Sequence, residues 1–423
     1  MTNLEYQKPP EAEPRFFYGH IIVAAAFVML LVMGGIYYSF GVFFSPLLVE
    51  FGWTRAMTSG AFSLCIMLEG LLGIVMGRAT DRWGPRRVIT LCGFLLGLGL
   101  LLISQITHLW EFYLLYGVII GIGMGGLWVP PVSIVARWFT KKRNMMTGIA
   151  VAGTGVGGLI TPPIANWLIS TYDWRLSYVT LGSVVLVLIV LAAQFLKRDP
   201  IQVGQLPYGE NNKREVNGLP LVNIGFSLRE AFYTKQLWLV SGLYLCFGFS
   251  MFSVMVHIVP HAIELGISGG AAANILAIIG GVSIAGKTIM GASTDRIGNR
   301  TGLIIGSALI FASLVWLMVA REIWMLYLFA AIFAFGYSSM VTLMSSIIAE
   351  LFGLHSVGII LGVVNFAATI GCAIGPVLAG WLFDISGSYQ LAFLTCIAVS
   401  IAGLLMTLLL RPIHRQNLIG NVI

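Results

Sequence analysis

Charge is what this sequence has least of. Asp, Glu, Lys and Arg make up 10% of its 423 residues, against roughly 25% in soluble globular domains. So few charges exclude a fold whose surface faces water throughout. Cysteine is also scarce: Cys65, Cys92, Cys246, Cys372 and Cys396 are the five, none in a CxxC pair and all inside apolar runs. That placement excludes a disulfide framework and a thiolate metal centre, leaving small buried apolar residues. No His/Glu metal cluster, phosphate-binding loop or nucleophile–base arrangement is present, so neither a cofactor, a metal nor an enzymatic activity is expected. The stretch 1–18, with Glu5, Lys8, Pro9, Pro10, Glu11, Glu13 and Arg15, holds no short apolar core and no small-residue cleavage site. It is not expected to be a secretory signal.

What remains is apolar. Hydrophobic residues reach 58%, the mean hydropathy is +0.92, and 50 glycines accompany 25 Phe, 14 Tyr and 11 Trp. Glycine at that level suits helices packed closely in lipid. Runs long enough to cross a bilayer fall near 20–47, 55–77, 88–106, 109–136, 145–170, 175–196, 236–263, 269–292, 301–320, 323–349, 355–382 and 388–410. The expected class is an all-α membrane protein of twelve spans: a six-helix bundle over 1–196, a cytosolic linker with a short surface helix over 197–235, and a second bundle over 236–423. Twenty of the 24 Lys and Arg then fall on the side of the termini, and Arg55, Arg175 and Arg321 on the other, with Lys287 inside a span. By the positive-inside rule both termini are cytosolic. The net charge of +7 is therefore a topology signal, and nucleic acid is not an expected partner.

The two halves are copies. A uniform shift of 214 residues places Pro46 on Pro260, Glu50 on Glu264 and Gly52 on Gly266. It also places Gly77, Thr80, Asp81, Arg82 and Gly84 on Gly291, Thr294, Asp295, Arg296 and Gly298, and Gly148, Gly157, Pro162, Ala165 and Trp167 on Gly362, Gly371, Pro376, Ala379 and Trp381. A shift across six helices returns the chain to the same side, so the repeats are parallel, a transporter architecture with its site at the repeat interface. In the loop Gly77–Arg87 the glycines permit a tight turn, while Asp81 can pair with arginines or a helix N-terminus and hold one conformation.

These twin loops resemble the signature of the major facilitator superfamily, over essentially the whole chain. The resemblance implies alternating access by two rocking bundles, with helices 1, 4, 7 and 10 lining a cavity. It assigns conformational gating to Gly77, Asp81, Arg82, Asp295 and Arg296. Residues 138–157 carry an aromatic pair, a basic run and then Gly-x-Ala-x-Ala-Gly-x-x-x-Gly, which looks like the helix 4–5 signature of the monocarboxylate transporter family and its oxalate/formate antiporter relatives. Two departures stand out. The family's helix 1 acid is missing before Phe17-Tyr18-Gly19-His20. In helix 8 the family's Asp-x-x-x-Arg pair is replaced by Ser283 and Lys287.

Few charges lie inside the spans, and each costs about 2.5–3.5 kcal/mol at a helix centre. Lys287 reads either as a cationic anchor for a substrate carboxylate or as a lysine snorkelling to the surface. It shares a helical face with Gly280 and Ser283 and stands roughly 12 Å up the helix from Asp295. Glu69 matches Ser283 across the repeat, and Lys287 matches Gly73, so both charges break the symmetry. Glu69 is a proton-coupling candidate or a hydrogen-bonded structural carboxylate. His257, one turn from His261, is a second such candidate or half of an interfacial pair. Tyr38, Trp128 (before Pro130-Pro131), Tyr337 and Asn365 complete the expected substrate site with Lys287 and Ser283. The function expected is proton-coupled symport of a small monocarboxylate such as lactate, pyruvate or acetate. The alternative is an organic-anion exchanger or efflux transporter of the same fold, without proton coupling. The partners expected are that anion, protons and the lipid bilayer, for a monomer in a bacterial inner membrane.

Overall fold

The computed structural model describes residues 17–139, 142–209, 226–353 and 357–411. Lys8, Arg15, Lys141, Lys213, Arg214 and Arg415 lie outside them, as do the side chains of the expected gating residues Asp81 and Asp295. Among the described residues twelve helices are long and apolar enough to cross a membrane. We label them α1 (Gly19–Phe51), α2 (Arg55–Trp83), α3 (Pro85–Ile103), α4 (Leu109–Trp138), α5 (Arg143–Thr171), α6 (Trp174–Gln194), α7 (Lys235–Glu264), α8 (Gly269–Ile297), α9 (Asn299–Val319), α10 (Ile323–Phe352), α11 (Val357–Ser386) and α12 (Gln390–Leu409). Within 197–235 the described residues add two short helices, Pro200–Val203 and Leu228–Phe232, the second opened by a Ser227/Glu230 capping box.

The ends of these helices are written locally. Thr54, Asp173, Thr234 and Ser268 each accept a hydrogen bond from a first-turn amide of α2, α6, α7 and α8, satisfying donors that a helix start leaves open. Gly84 (φ 87°) and Gly298 (φ 83°), paired by the repeat, turn α2 into α3 and α8 into α9 in a backbone region closed to most side chains. α4 is interrupted: it is π-wound over Tyr113–Ile120, stops at Gly125, and restarts at Val129 with Pro130 and Pro131 in its first turn. Proline suits that place because the missing N–H would be unpaired anyway.

The repeat extends to atomic contacts. Gly157 of α5 lies on the Leu31 carbonyl of α1, and 214 residues later Gly371 of α11 lies on the Leu245 carbonyl of α7. Gly34 on Thr154 and Gly248 on Ala368 form a second such pair. Small residues let these backbones touch where apolar bulk would hold them apart. Between the halves, α5 crosses α8 and α2 crosses α11, and α1 also meets α7.

Those crossings are one-sided. Gly155 of α5 packs on Ile284 and Gly280 of α8, yet Gly148, two turns nearer the chain termini on the same face, meets nothing within 4 Å among the described residues. Gly70 of α2 packs on Thr369 of α11, and Gly362, again two turns nearer the termini on that α11 face, meets none of the described residues either. The halves therefore touch on the side away from the termini (the far side) and separate on the near side.

Candidate functional site

Four helices converge on Lys287. Its Nζ donates to Thr154 Oγ1 of α5 at 3.2 Å and lies 5.5 Å from the centre of the Tyr337 ring of α10. Phe247 of α7 stacks on that ring, with centroids 6.1 Å apart. Ser283 is fully buried one turn away and donates to the Gly280 carbonyl at 2.8 Å. Tyr38 of α1 is buried, its hydroxyl beside Tyr337 and Ser283. The room for its ring comes from glycine: a Cβ on Gly158 would stand 3.0 Å from it, and one on Gly280 would stand 2.5 Å from the Gly158 backbone.

Among the described residues no carboxylate pairs with Lys287, which is half-buried. A carboxylate brought here would receive an ammonium and hydroxyl donors, the set its two oxygens require. Lys287, Ser283, Tyr38 and Tyr337 thus stand together. Trp128, at the restart of α4, and Asn365, exposed on α11 with its carbonyl accepting from Thr369 Oγ1 at 3.0 Å, share no hydrogen bond or ring contact with this group among the described residues.

A second pair sits around the same helix. The Tyr37 hydroxyl donates to the Glu69 carboxylate of α2, and the Tyr37 ring meets Phe252 of α7 edge-on with centroids 5.5 Å apart. Neighbours in sequence point about 100° apart on a helix. α1 therefore offers one tyrosine to the acid of the first half and the next to Tyr337 and Ser283 of the second.

The far side is held by a polar network. The Asp384 carboxylate of α11 accepts from the Arg55 and Ala56 amides at the start of α2, both at 2.9 Å. The Arg55 side chain pairs with Glu264 of α7, donates to the Tyr389 hydroxyl at 2.8 Å and lies 3.9 Å over the Phe383 ring. His257 bridges Tyr389 (Nδ1, 3.1 Å) and the Pro376 carbonyl (Nε2, 2.8 Å). Nε2 must donate to that carbonyl, which leaves Nδ1 to accept from Tyr389. His261 packs its ring on Tyr389 and Phe393. Across the interface Asn166 of α5, with its amide oriented to satisfy both groups, bonds the Gly269 carbonyl (3.2 Å) and the Gly270 amide (3.3 Å) of α8. His257 belongs to this closure. Arg82 and Arg296 are exposed at the near-side ends of α2 and α8, and Gly77 lies beside Val129 of α4.

Thr154, Tyr37, Arg55, Asp384 and Tyr389 were not singled out by sequence reasoning. One signal for the closure was present: Glu50 pairs with Arg175 inside the first half, and the 214-residue shift turns Glu50 into Glu264 but Arg175 into Tyr389. Glu264 had to find its cation elsewhere.

Residues 25–287 and 239–421 match the sequence profile of the Major Facilitator Superfamily. Rat monocarboxylate transporter 12 is 28% identical over 425 residues, covering 94% of this chain and 85% of the relative. Human monocarboxylate transporter 2 is 26% identical, covering 93% and 86%. Among solved structures, a bacterial homologue of the human lysosomal transporter Spinster, inward-facing and unoccupied, shares the fold with a TM-score of 0.69 at 16% identity, covering 94% of this chain and 96% of that one.

Proposed function

This chain belongs to the major facilitator superfamily and is related to its monocarboxylate transporters, and from that premise we propose that it carries a small monocarboxylate of the lactate, pyruvate or acetate type together with a proton. The observation that carries this reading is Lys287, a half-buried cation at the meeting of α1, α5, α8 and α10 with no carboxylate beside it among the described residues. One cation suits one carboxylate; a dicarboxylate would call for two. The moving units are 1–196 and 236–423, joined by the linker 197–235. With both termini cytosolic, as the Lys and Arg placement supports, the near side is the cytosol and the conformation is inward-facing.

The anion enters the cleft and replaces Thr154 as the partner of the Lys287 ammonium, accepting from the Tyr38 hydroxyl. Glu69 takes up the proton, its bond from Tyr37 weakening as it does. With both charges neutralised, the bundles rock, the far-side network parts, and the twin loops of Gly77, Asp81, Arg82, Asp295 and Arg296 close the near side. The connections on the far side are short, residues 52–54, 104–108, 172–173, 265–268, 320–322 and 387–389, which supports a bacterial inner membrane as the setting. A monomer suffices for this cycle.

Reconstitution into liposomes tests the coupling. Lactate-type uptake should rise several-fold when the outside is made acid. Uptake indifferent to the gradient but accelerated by internal anion would make the protein an exchanger, with Lys287 keeping its role and Glu69 losing its own.

A further inference from the structure

Away from the transport path, a cleft of about 1210 Å³ opens on the near side where α3 begins and α6 ends. Arg86 and Arg87 of the first turn of α3, with Lys197 and Arg198 just past α6, form one part of its wall. Leu91 and Phe94, exposed farther along α3, form another. Phe94 lies seven residues beyond Arg87, about 10 Å deeper along the helix. Cations at the membrane boundary thus stand above bare apolar side chains that face where acyl chains run.

We propose that this cleft binds an anionic phospholipid, its phosphate held by Arg86, Arg87, Lys197 and Arg198 and its acyl chains laid along Leu91 and Phe94. Basic pockets between helix ends suit anionic headgroups. The wall is built rather than loose: Arg86 Nε donates to Gln194 Oε1 at 2.6 Å, Gln194 donates on to Thr90 at 3.1 Å, and Lys197 lies 5.0 Å from the Tyr18 ring centre. Asp199 pairs with Arg198 at 3.4 Å and offsets one charge, which leaves an excess of cations.

The repeat supplies a comparison within the molecule. Shifted by 214 residues, the four cations become Arg300, Thr301, Arg411 and Pro412. Topology asks for positive charge at both corners, yet at these matched positions the second has half as much. Its Arg300 is engaged by the Leu408 carbonyl at 2.7 Å. The surplus at the first corner is specific to that corner, and the exposed apolar stripe beside it selects a lipid over a soluble phosphate.

Native mass spectrometry of the purified full chain, titrated with phosphatidylglycerol, phosphatidylcholine or inorganic phosphate, tests this. Phosphatidylglycerol should bind at least tenfold more tightly than phosphatidylcholine, and millimolar inorganic phosphate should not displace it. Arg87→Gln alone, an exposed side chain, should weaken binding about fivefold, and the triple variant R86Q/R87Q/K197Q more than tenfold. The charge-keeping R86K/R87K should retain binding, and R300Q/R411Q at the other corner should leave it unchanged. Equal affinity for the two lipids, displacement by phosphate, or the same loss in R300Q/R411Q would overturn the proposal.

Discussion

Gly73 stands in the first half where Lys287 stands in the second, and Ser283 stands in the second where Glu69 stands in the first. A shared scaffold requires neither charge, and the proposed transport cycle is built on both. Lys287→Ala removes a charge-assisted bond to the anion, about 1.5–3 kcal/mol, and should weaken monocarboxylate binding roughly 10- to 100-fold by calorimetry. Lys287→Arg should recover part of that, its wider head being crowded by Tyr337 and Thr154. Glu69→Gln still accepts from Tyr37 but carries no proton. Uptake driven by an acid-outside gradient should disappear in it while exchange of internal for external anion persists. Lys287, Tyr38 and Tyr337 of the candidate site stand out in the sequence because polar groups are few within the apolar spans. Thr154 does not, because a threonine in a glycine-rich stretch is ordinary until α5 is seen crossing α8. Nor does the division of labour between Tyr37 and Tyr38, which depends on how α1 is rotated, a property of packing rather than of local sequence.

Among the elements, the contacts that hold the far side closed come in matched pairs with unmatched chemistry. α11 caps α2 through Asp384, and α5 grips α8 through Asn166. The ion pair that stays within the first half as Glu50–Arg175 becomes, in the second, a bond between halves from Glu264 to Arg55. Arg55→Gln should weaken that closure by about 1–2 kcal/mol, a roughly 5- to 30-fold shift toward far-side opening. Spin labels at Tyr172 and Arg321, exposed on opposite halves, should report it as a longer distance population. Gly280→Leu should act more severely, since even a Cβ there would stand 2.5 Å from the Gly158 backbone. Overpacking of that kind costs about 1–3 kcal/mol, and a lowered Tm is the expected reading. Hydropathy places the helix ends to within six residues, the largest misses being the charged near-side ends of α2 and α8. The interruption of α4 was signalled by Pro130-Pro131, whereas its π-wound stretch carries no mark in composition. The closure is not legible in the sequence because its members are far apart along the chain and join only when the two halves dock.

At the scale of the molecule, a 214-residue register gives two bundles of the same make, touching at one end and parted at the other. The proposed cycle gives such an object a second arrangement, with the contacts exchanged, and a ligand can favour that arrangement only through a difference in its interactions with the two. Lys287 lies at the crossing of α5 and α8, where the halves still meet, so an anion bound there touches both. Which end is open could not be read from the sequence, because both arrangements are built from the same helices. The most direct test places spin labels at Met145 and Ile359, exposed near-side positions of α5 and α11 that match across the repeat, and measures their separation with and without a saturating monocarboxylate at acid pH. A shorter distance population should appear with the anion in the otherwise unaltered protein and fail to appear in Lys287→Ala. A separation that no monocarboxylate changes, or one that changes equally without Lys287, would contradict the assignment of the anion to this site.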